Sequence, residues 1–511
     1  MRLTRCGHSA LVFAFAVAVT HCAPAYSRSA GQAHVQGGTP VERHTPETLT
    51  EGRASAYANL ERGKSEEAYV ELKRISELWP DDLKTAKLLV VAAYRTGRVC
   101  LAGRVLRRVT REDPEDRWMQ LHVGHLLASA GRYDDAMRVY EAIPRHARES
   151  FEARLGEARV TAWRWRTAEA TAAAKALVAR RPGHADVLTL LGDLKRWDWD
   201  LTEARTLYTA ALETEPNHPA AKAGLEQVEA NRSARLEAGS VAFHDSTGFR
   251  RAKATASFRA LLRDHTEISP QLAYWEFKQS GALVARRVDE SVQVRHHFSR
   301  YLEADIRSLS YDYNIHSSAQ SVAVATRWSP APVVDLYANA AWHEPVIENV
   351  NTVVSGLHQD AYAVGIDLHR SKLSLATYFS RADYSDSNTR RHGKVQISYA
   401  AWRSPDVVGA FEYDLLDYAK QVPEYFSPRG YQSLGPELRV AHRPVGWLSL
   451  HARAGLPYYV SERCPGYEVA GGAAVQWLRL MVSGSYVKQR APSQTDPWSG
   501  DGFEIALSYA L

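Results

Sequence analysis

From residue 236 to the last residue, apolar and polar side chains alternate with a period of two. The final run shows it plainly: Phe503-Glu504-Ile505-Ala506-Leu507-Ser508-Tyr509-Ala510-Leu511 places large apolar residues at odd positions and small or polar ones at even positions. Successive side chains of a strand point to opposite faces, so this is a strand with one face for lipid and one for something wetter. Fifteen similar segments precede it, and the sixteen span about 236–244, 252–262, 267–278, 286–298, 301–313, 319–328, 332–343, 359–369, 372–384, 393–403, 407–419, 431–442, 447–459, 467–477, 479–489 and 502–511. An even count returns the chain to the side on which it entered. No stretch of 18 apolar residues lies beyond the extreme N-terminus. A barrel escapes that scan because alternation halves its mean hydropathy.

The connections give an independent check. Even-numbered strands are followed by short turns such as Ser329-Pro330-Ala331-Pro332 and Arg403-Ser404-Pro405-Asp406, while odd-numbered strands from the seventh on are followed by longer loops at 344–358, 385–392, 419–431 and 490–502. Short turns on one side and long loops on the other describe an outer-membrane barrel with its short turns in the periplasm. A soluble β-sandwich would not need that asymmetry, and no propeller blade repeat is visible.

Alternation also assigns faces. In the seventh strand Val334, Leu336, Ala338, Ala340 and Trp342 point to lipid, and Asp335, Tyr337, Asn339 and His343 point inward. The inward set elsewhere includes Glu303, Asp305, Arg307, Asp367, Glu412, Asp414, Arg439 and Arg453, with Lys253, Arg259, Arg295, Glu437 and His451. Charges on this scale in a dry core would cost several kcal/mol each unless paired, so a wet lumen is expected. The charges are of both signs, which suits a neutral or zwitterionic polymer; the alternative is a purely structural salt-bridged lining. Sixteen strands enclose a channel wide enough for one polysaccharide chain.

The first half has a different period. Ala68, Ala102, Ala136, Ala170 and Ala204 stand 34 residues apart; Pro80, Pro114, Pro182 and Pro216 keep the same register, as do Gly63, Gly97 and Gly131. Leu72, Leu106, Tyr140 and Tyr208 lie four residues after the alanines, with Ala174 as the exception. A 34-residue period with these residue types is the tetratricopeptide repeat. The alanine lets two helices approach closely, the glycine permits the turn between them, and the proline stops the second helix. Five repeats over 49–230 and a capping helix from about Pro219 are predicted. Such arrays bind protein partners in a concave groove. Trp163, Trp165, Trp197 and Trp199 crowd the last two repeats, and Trp165 and Trp199 occupy the glycine slot. Packing between repeats would explain them; contact with the barrel or with a sugar chain is the alternative.

The N-terminus reads as a secretory signal over 1–25: Arg2 and Arg5, an apolar core, and Ala23-Pro24-Ala25 as the cleavage site, with lipidation at Cys22 as the alternative. Residues 26–48 are polar and read as a flexible linker. Cys100 and Cys464 remain in the mature chain, too far apart in kind of structure to form a disulfide framework or a metal site. A net charge of +5 over 511 residues leaves no nucleic-acid footprint. No nucleophile elbow, His-Glu-x-x-His or metal-spaced cluster occurs, so no catalytic residue, metal or cofactor is expected.

The order of these parts resembles the outer-membrane exporters of bacterial exopolysaccharides, in which periplasmic tetratricopeptide repeats precede a 16-stranded barrel. The poly-N-acetylglucosamine porin and the outer-membrane subunit of cellulose secretion are the types meant. Glu424-Tyr425-Phe426-Ser427-Pro428-Arg429-Gly430-Tyr431 looks like a tyrosine-aromatic-serine-proline segment late in the cellulose-type barrel. The array here is shorter than in those families, and the chain ends on Leu511 rather than an aromatic residue. The resemblance implies a monomeric, non-enzymatic export porin in outer-membrane lipid. An exopolysaccharide would pass through it, and a periplasmic protein would dock in the repeat groove. Within the loop before the twelfth strand, Tyr425, Phe426 and Tyr431 can stack on sugar rings and Pro428 stiffens the segment, as in a gate. An anchored scaffold, adhesin or receptor without transport is the competing function.

Overall fold

The computed structural model describes residues 46–511 except 63, 97, 114, 115, 130, 148, 404 and 492–497, with backbone alone at a few positions including Cys100 and Leu106. The expected signal peptide and nearly all of the expected linker lie outside the described residues. The first helix begins at Pro46, so 46–48 is helix rather than linker. Proline suits the first turn, where its missing N–H needs no partner, and Glu47 lies at the positive end of the helix dipole.

The helices are α1 (Pro46–Glu61), α2 (Ser65–Leu78), α3 (Leu83–Arg95), α4 (Val99–Glu112), α5 (Arg117–Ser129), α6 (Tyr133–Glu141), α7 (Ser150–Trp163), α8 (Thr167–Arg180), α9 (Ala185–Trp197), α10 (Leu201–Thr214) and α11 (Pro219–Arg232). Among the described residues α1 packs on α2, α5 on α6, α7 on α8 and α9 on α10, with α11 against the last pair, the helix-pair arrangement of tetratricopeptide repeats. The chain divides into two compact units between Val105 and Leu106, within α4. The five period-34 alanines are all fully buried.

In the unit from Leu106 onward, residue size explains the one exception to the repeat pattern. Tyr140 fills a notch made by Gly124 and Gly156, where an added Cβ would lie 2.3 Å and 2.4 Å from its ring. Tyr208 fills the equivalent notch at Gly192 and Gly224. In the repeat between them the slot holds Ala174, and the facing positions are Ala158 and Leu190, all in one buried cluster. Small meets large throughout, so volume is conserved where residue identity is not.

Sixteen long strands follow: β1 (Arg235–Asp245), β2 (Phe249–Arg263), β3 (Thr266–Gln279), β4 (Ala282–Ser299), β5 (Leu302–Tyr313), β6 (Ala319–Ala331), β7 (Val334–Pro345), β8 (His358–Arg370), β9 (Leu373–Tyr384), β10 (Thr389–Arg403), β11 (Asp406–Tyr418), β12 (Tyr431–Val445), β13 (Leu448–Gly455), β14 (Tyr467–Trp477), β15 (Leu480–Ala491) and β16 (Trp498–Ala510). Each pairs antiparallel with its neighbours. β1 pairs with both β2 and β16, Leu236 facing Phe258 on one side and Tyr509 on the other, so the barrel closes and no edge remains. The strand expected over 447–459 is interrupted after Gly455 and resumes at Tyr458–Tyr459, which pairs with Ser433 and Leu434 of β12 on one side and with Cys464–Pro465 in a small hairpin on the other. The last strand begins at Trp498 rather than 502.

Register fixes the two faces. Phe258, Tyr274, Val292, Ile306, Val324, Leu336, Val364, Ile397, Phe411 and Leu507 share the outer face, and most are exposed although large and apolar. Only a lipid environment makes such a belt favourable. Trp328, Trp402, Trp447 and Trp477 lie exposed beside the short turns, as an interfacial girdle requires. The chain is thus a membrane-spanning barrel of the outer-membrane type. Turns 264–265, 300–301, 332–333, 371–372, 446–447 and 478–479 all have two residues and define one end; the long loops define the other.

Candidate functional site

All ten expected lumen residues lie on the inner face. One row of paired residues runs Asp305, Ala325, Asn339, Ala363, Ser380, His392, Leu416 across seven strands, opposite the lipid-facing rows. Glu303, Arg307, Asp335, Tyr337, Asp367, Glu412, Asp414, Arg439 and Arg453 occupy the same face at other heights. His343 does not take the expected inward position. It is the extra residue of a bulge, with φ 54°, and Glu344 faces inward instead.

The wall residues pair with one another along the inner face, within a strand or across one or two strands. Arg307 meets Glu344 at 3.3 Å, Lys394 meets Glu412 at 2.7 Å, and Arg327 and His369 meet Asp335 at 3.4 Å and 3.1 Å. Gln293 donates to Asp305 and Tyr337 donates to Asp367, both at 2.9 Å. Glu437 pairs with Arg439 and, at 3.8 Å, with Arg453. These charges remain wet: the Arg327 side chain is 50% exposed and that of Arg453 43%. A cavity of about 360 Å³ lies against this wall, bordered by Asp305, Arg307, Asn339, Glu344, Ser380 and Arg390. Ser380 Oγ, Arg390 Nε and Gln359 Oε1 on the same cavity are buried without a protein partner, which invites water or ligand hydroxyls.

At the long-loop end two loops fold against the inner wall. The first carries α12 (Val350–Ser355), a helix inside a stretch expected to be loop throughout. Its signal was present: Asn349 caps the Thr352 backbone, Thr352 returns the bond, and Gly356 ends the helix with φ 64°. Val353 is fully buried against inward-facing Phe249, Phe277, Tyr311 and Tyr313. The second loop, 419–430, holds the expected gate residues but separates them. Tyr425 is buried; it stacks on Tyr384 at 5.4 Å, donates to Asp386 at 2.8 Å, and accepts from Asn388 at 2.9 Å. One of its faces is therefore already covered. Phe426 is exposed and meets the ring of Tyr431, the first residue of β12, edge-on at 5.2 Å. The Pro428 carbonyl accepts the Tyr418 N–H at 3.0 Å. Asn349 donates to the Glu424 carbonyl at 2.9 Å and so ties the two loops together. Glu348 lies between them, where burial holds its carboxyl above the usual range.

At the short-turn end the last repeats dock onto the barrel. Trp165 and Trp199 have φ of 67° and 62°, the left-handed geometry that Gly131 adopts with φ 74° in the preceding repeat. A large residue held there costs on the order of 1–3 kcal/mol. Packing between repeats does not account for them: Trp199 stacks on His297, and Trp165 lies 5.1 Å from the Tyr301 ring and accepts its hydroxyl at its carbonyl at 2.7 Å. The Arg300 guanidinium lies over both Trp165 and Trp197, at 4.8 Å and 4.6 Å. Asp264, in the β2–β3 turn, accepts from the Thr202 N–H at 2.7 Å and pairs with Arg232 at 3.0 Å. Tryptophans in a glycine slot were the sequence signal; contact with the barrel, the alternative to packing between repeats, is what the structure shows, and only the partner residues were not legible.

No protein-family model matches the chain, and no curated protein matches it. Among solved structures it is similar to one described as a bacterial polysaccharide outer membrane secretin, at 12% identity over 55% of this chain and 99% of that one, with a TM-score of 0.47. It is also similar to OccK11 (OpdR) of Pseudomonas aeruginosa, at 10% identity over 55% and 95%, with a TM-score of 0.34. The helical part is similar to TTC0263, a tetratricopeptide protein of Thermus thermophilus, at 17% identity over 35% and 98%, with a TM-score of 0.32. At these values the likenesses carry no functional argument, and the reading of function rests on the geometry above.

Proposed function

We propose that this protein is an outer-membrane pore that exports a neutral or zwitterionic bacterial exopolysaccharide, with its repeats in the periplasm docking a protein partner. The observation that carries the reading is the wetted inner wall. Arginines, lysines, aspartates and glutamates are paired side by side along it, so neither sign dominates and a strongly charged polymer gains nothing. Sugar hydroxyls both donate and accept, and can exchange with wall water at little cost. No catalytic group is needed, because synthesis behind the pore supplies the drive.

Single-channel conductance in a planar bilayer tests this. Open pores transiently blocked by oligosaccharide are expected; a barrel closed to ions and indifferent to sugars would overturn the reading. A second reading, an anchored scaffold without transport, is favoured by the two loops packed inside the long-loop mouth. Deletion of 350–355 separates the two. A shut barrel that conducts only after deletion is a gated pore, whereas one that stays shut is a scaffold.

A further inference from the structure

We propose that the short-turn mouth holds a subsite for one uncharged glycosyl residue, built jointly by Trp165 and Trp199 of the repeats and His297, Arg300 and Tyr301 of the barrel. The proposal rests on the export reading and adds where the chain is first held.

A cavity of about 200 Å³ lies at this junction, bordered by those five residues and by Glu303. That is room for a single sugar ring. Docking of the helices explains the Trp199–His297 stack, but it does not explain the cavity or an unpartnered nitrogen on each of two residues that border it. His297 is 4% exposed. Its Nδ1 lies 3.2 Å from Glu303, and a carboxylate can only accept, so Nδ1 carries the proton. In the neutral ring Nε2 is then a lone-pair acceptor, and it is buried without a partner. Arg300 Nη1 is a donor in the same condition. A guanidinium that donates and an imidazole that accepts match a hydroxyl group, which needs one of each. The Arg300 side chain is clamped by its indole neighbours, so little freedom remains to be lost on binding.

The aromatic surroundings supply stacking for the apolar face of a sugar ring. Glu303 borders the cavity and also stands on the inner wall, so a residue held here is already at the start of the channel. Its carboxylate and that of Asp335 are matched on the same cavity by Arg300 and Arg327, so neither sign is in excess and a charged sugar gains nothing over a neutral one. The class indicated is a neutral hexose or N-acetylhexosamine within a polymer.

The test uses the full chain in a planar bilayer, with oligosaccharides of glucose and of N-acetylglucosamine added separately to each side. Block from the short-turn side is expected to weaken about tenfold in Arg300→Met and in Trp199→Gly, the loss of one charged hydrogen bond or one stacking face. Trp199→Gly restores the residue that the turn geometry prefers. Trp163→Phe, outside the cavity, serves as the control and keeps the wild-type block. Because block is read on single open pores, each variant is scored only on molecules that inserted. Wild-type block with no change in either variant would overturn the subsite and leave the export reading standing. Open wild-type pores blocked from neither side would overturn the export reading itself.

Discussion

The indole of Trp199 lies on the imidazole of His297, their centroids 3.6 Å apart and their planes within 8° of parallel. One ring comes from the turn between α9 and α10 and the other from near the end of β4. The strained backbone at Trp199 is what aims the indole out of the repeat and at the barrel. Replacing both Trp165 and Trp199 by glycine is expected to relieve local strain of about 1 kcal/mol or more per site while loosening the dock. Hydrogen exchange reads this directly. The Thr202 amide, bonded to Asp264 across the junction, should exchange at least several-fold faster; unchanged protection would show that the tryptophans do not hold the dock.

Volume compensation in the array makes a second prediction. Ala174→Tyr should destabilise the helical part by about 1–3 kcal/mol, because Ala158 and Leu190 leave no notch for a ring. Adding Ala158→Gly and Leu190→Gly should recover part of that loss by recreating the Tyr208 arrangement. Urea melts followed by helical circular dichroism decide it; a triple variant no better than the single one would refute the notch account.

His125, in α5, packs 5.8 Å from the Tyr140 ring. Burial, helped by the positive Arg159, lowers its pKa from 6.5 to about 4. The folded state therefore resists a proton that the unfolded chain accepts. Stability from the neutral ring is complete above pH 6.5 and falls as pH drops toward about 4, by up to about 3 kcal/mol. His125→Gln should flatten that part of the helical unfolding profile. An equally steep profile in the variant would assign the acid sensitivity elsewhere.

Glu348 has the opposite sign. Burial raises its carboxyl above the usual 4.5, against the opposing pull of Arg390 and of hydrogen bonds from Tyr384 and Tyr418. The packed loop favours the protonated acid, so its hold is greatest at low pH and weakens as pH rises through the raised value. Pore conductance should accordingly increase with pH above the ordinary glutamate range, and Glu348→Gln should remove that dependence. Conductance that is flat with pH in the wild type would show that this loop does not gate.

Arg307 and Glu344 form one rung of the wall beside the larger cavity. Arg307→Ala leaves Glu344 unpaired and facing water, so reversal potentials in a salt gradient should shift toward cation selectivity. Glu344→Ala should shift them the other way, and identical potentials in both variants would mean that ions do not pass this wall.

Face and register were legible because a strand's neighbour is usually the next strand. The alternation in 503–511 told which side of each residue meets lipid, and pairing of Tyr509 with Leu236 merely closed the ring that it implied. Asp305, Glu412 and Arg453 could be placed inward on period alone. The repeat was equally local: Ala136 and Ala170 are buried for the same steric reason in each helix pair. His343 escaped because one bulge residue, set by hydrogen bonding across two strands, shifts every face after it.

What the sequence determined by itself, then, is everything with a repeat: the helix pairs, the sixteen strands, and the face of strand residues where no bulge intervenes. Tertiary structure alone decided what meets across long chain separations. Trp165 finds Tyr301, Val353 finds Phe249, and Tyr425 turns under Tyr384 instead of presenting an open face. None of these contacts has a period to betray it. Each depends on closing the barrel and folding a loop or a helix pair against a surface that does not exist until the ring is complete.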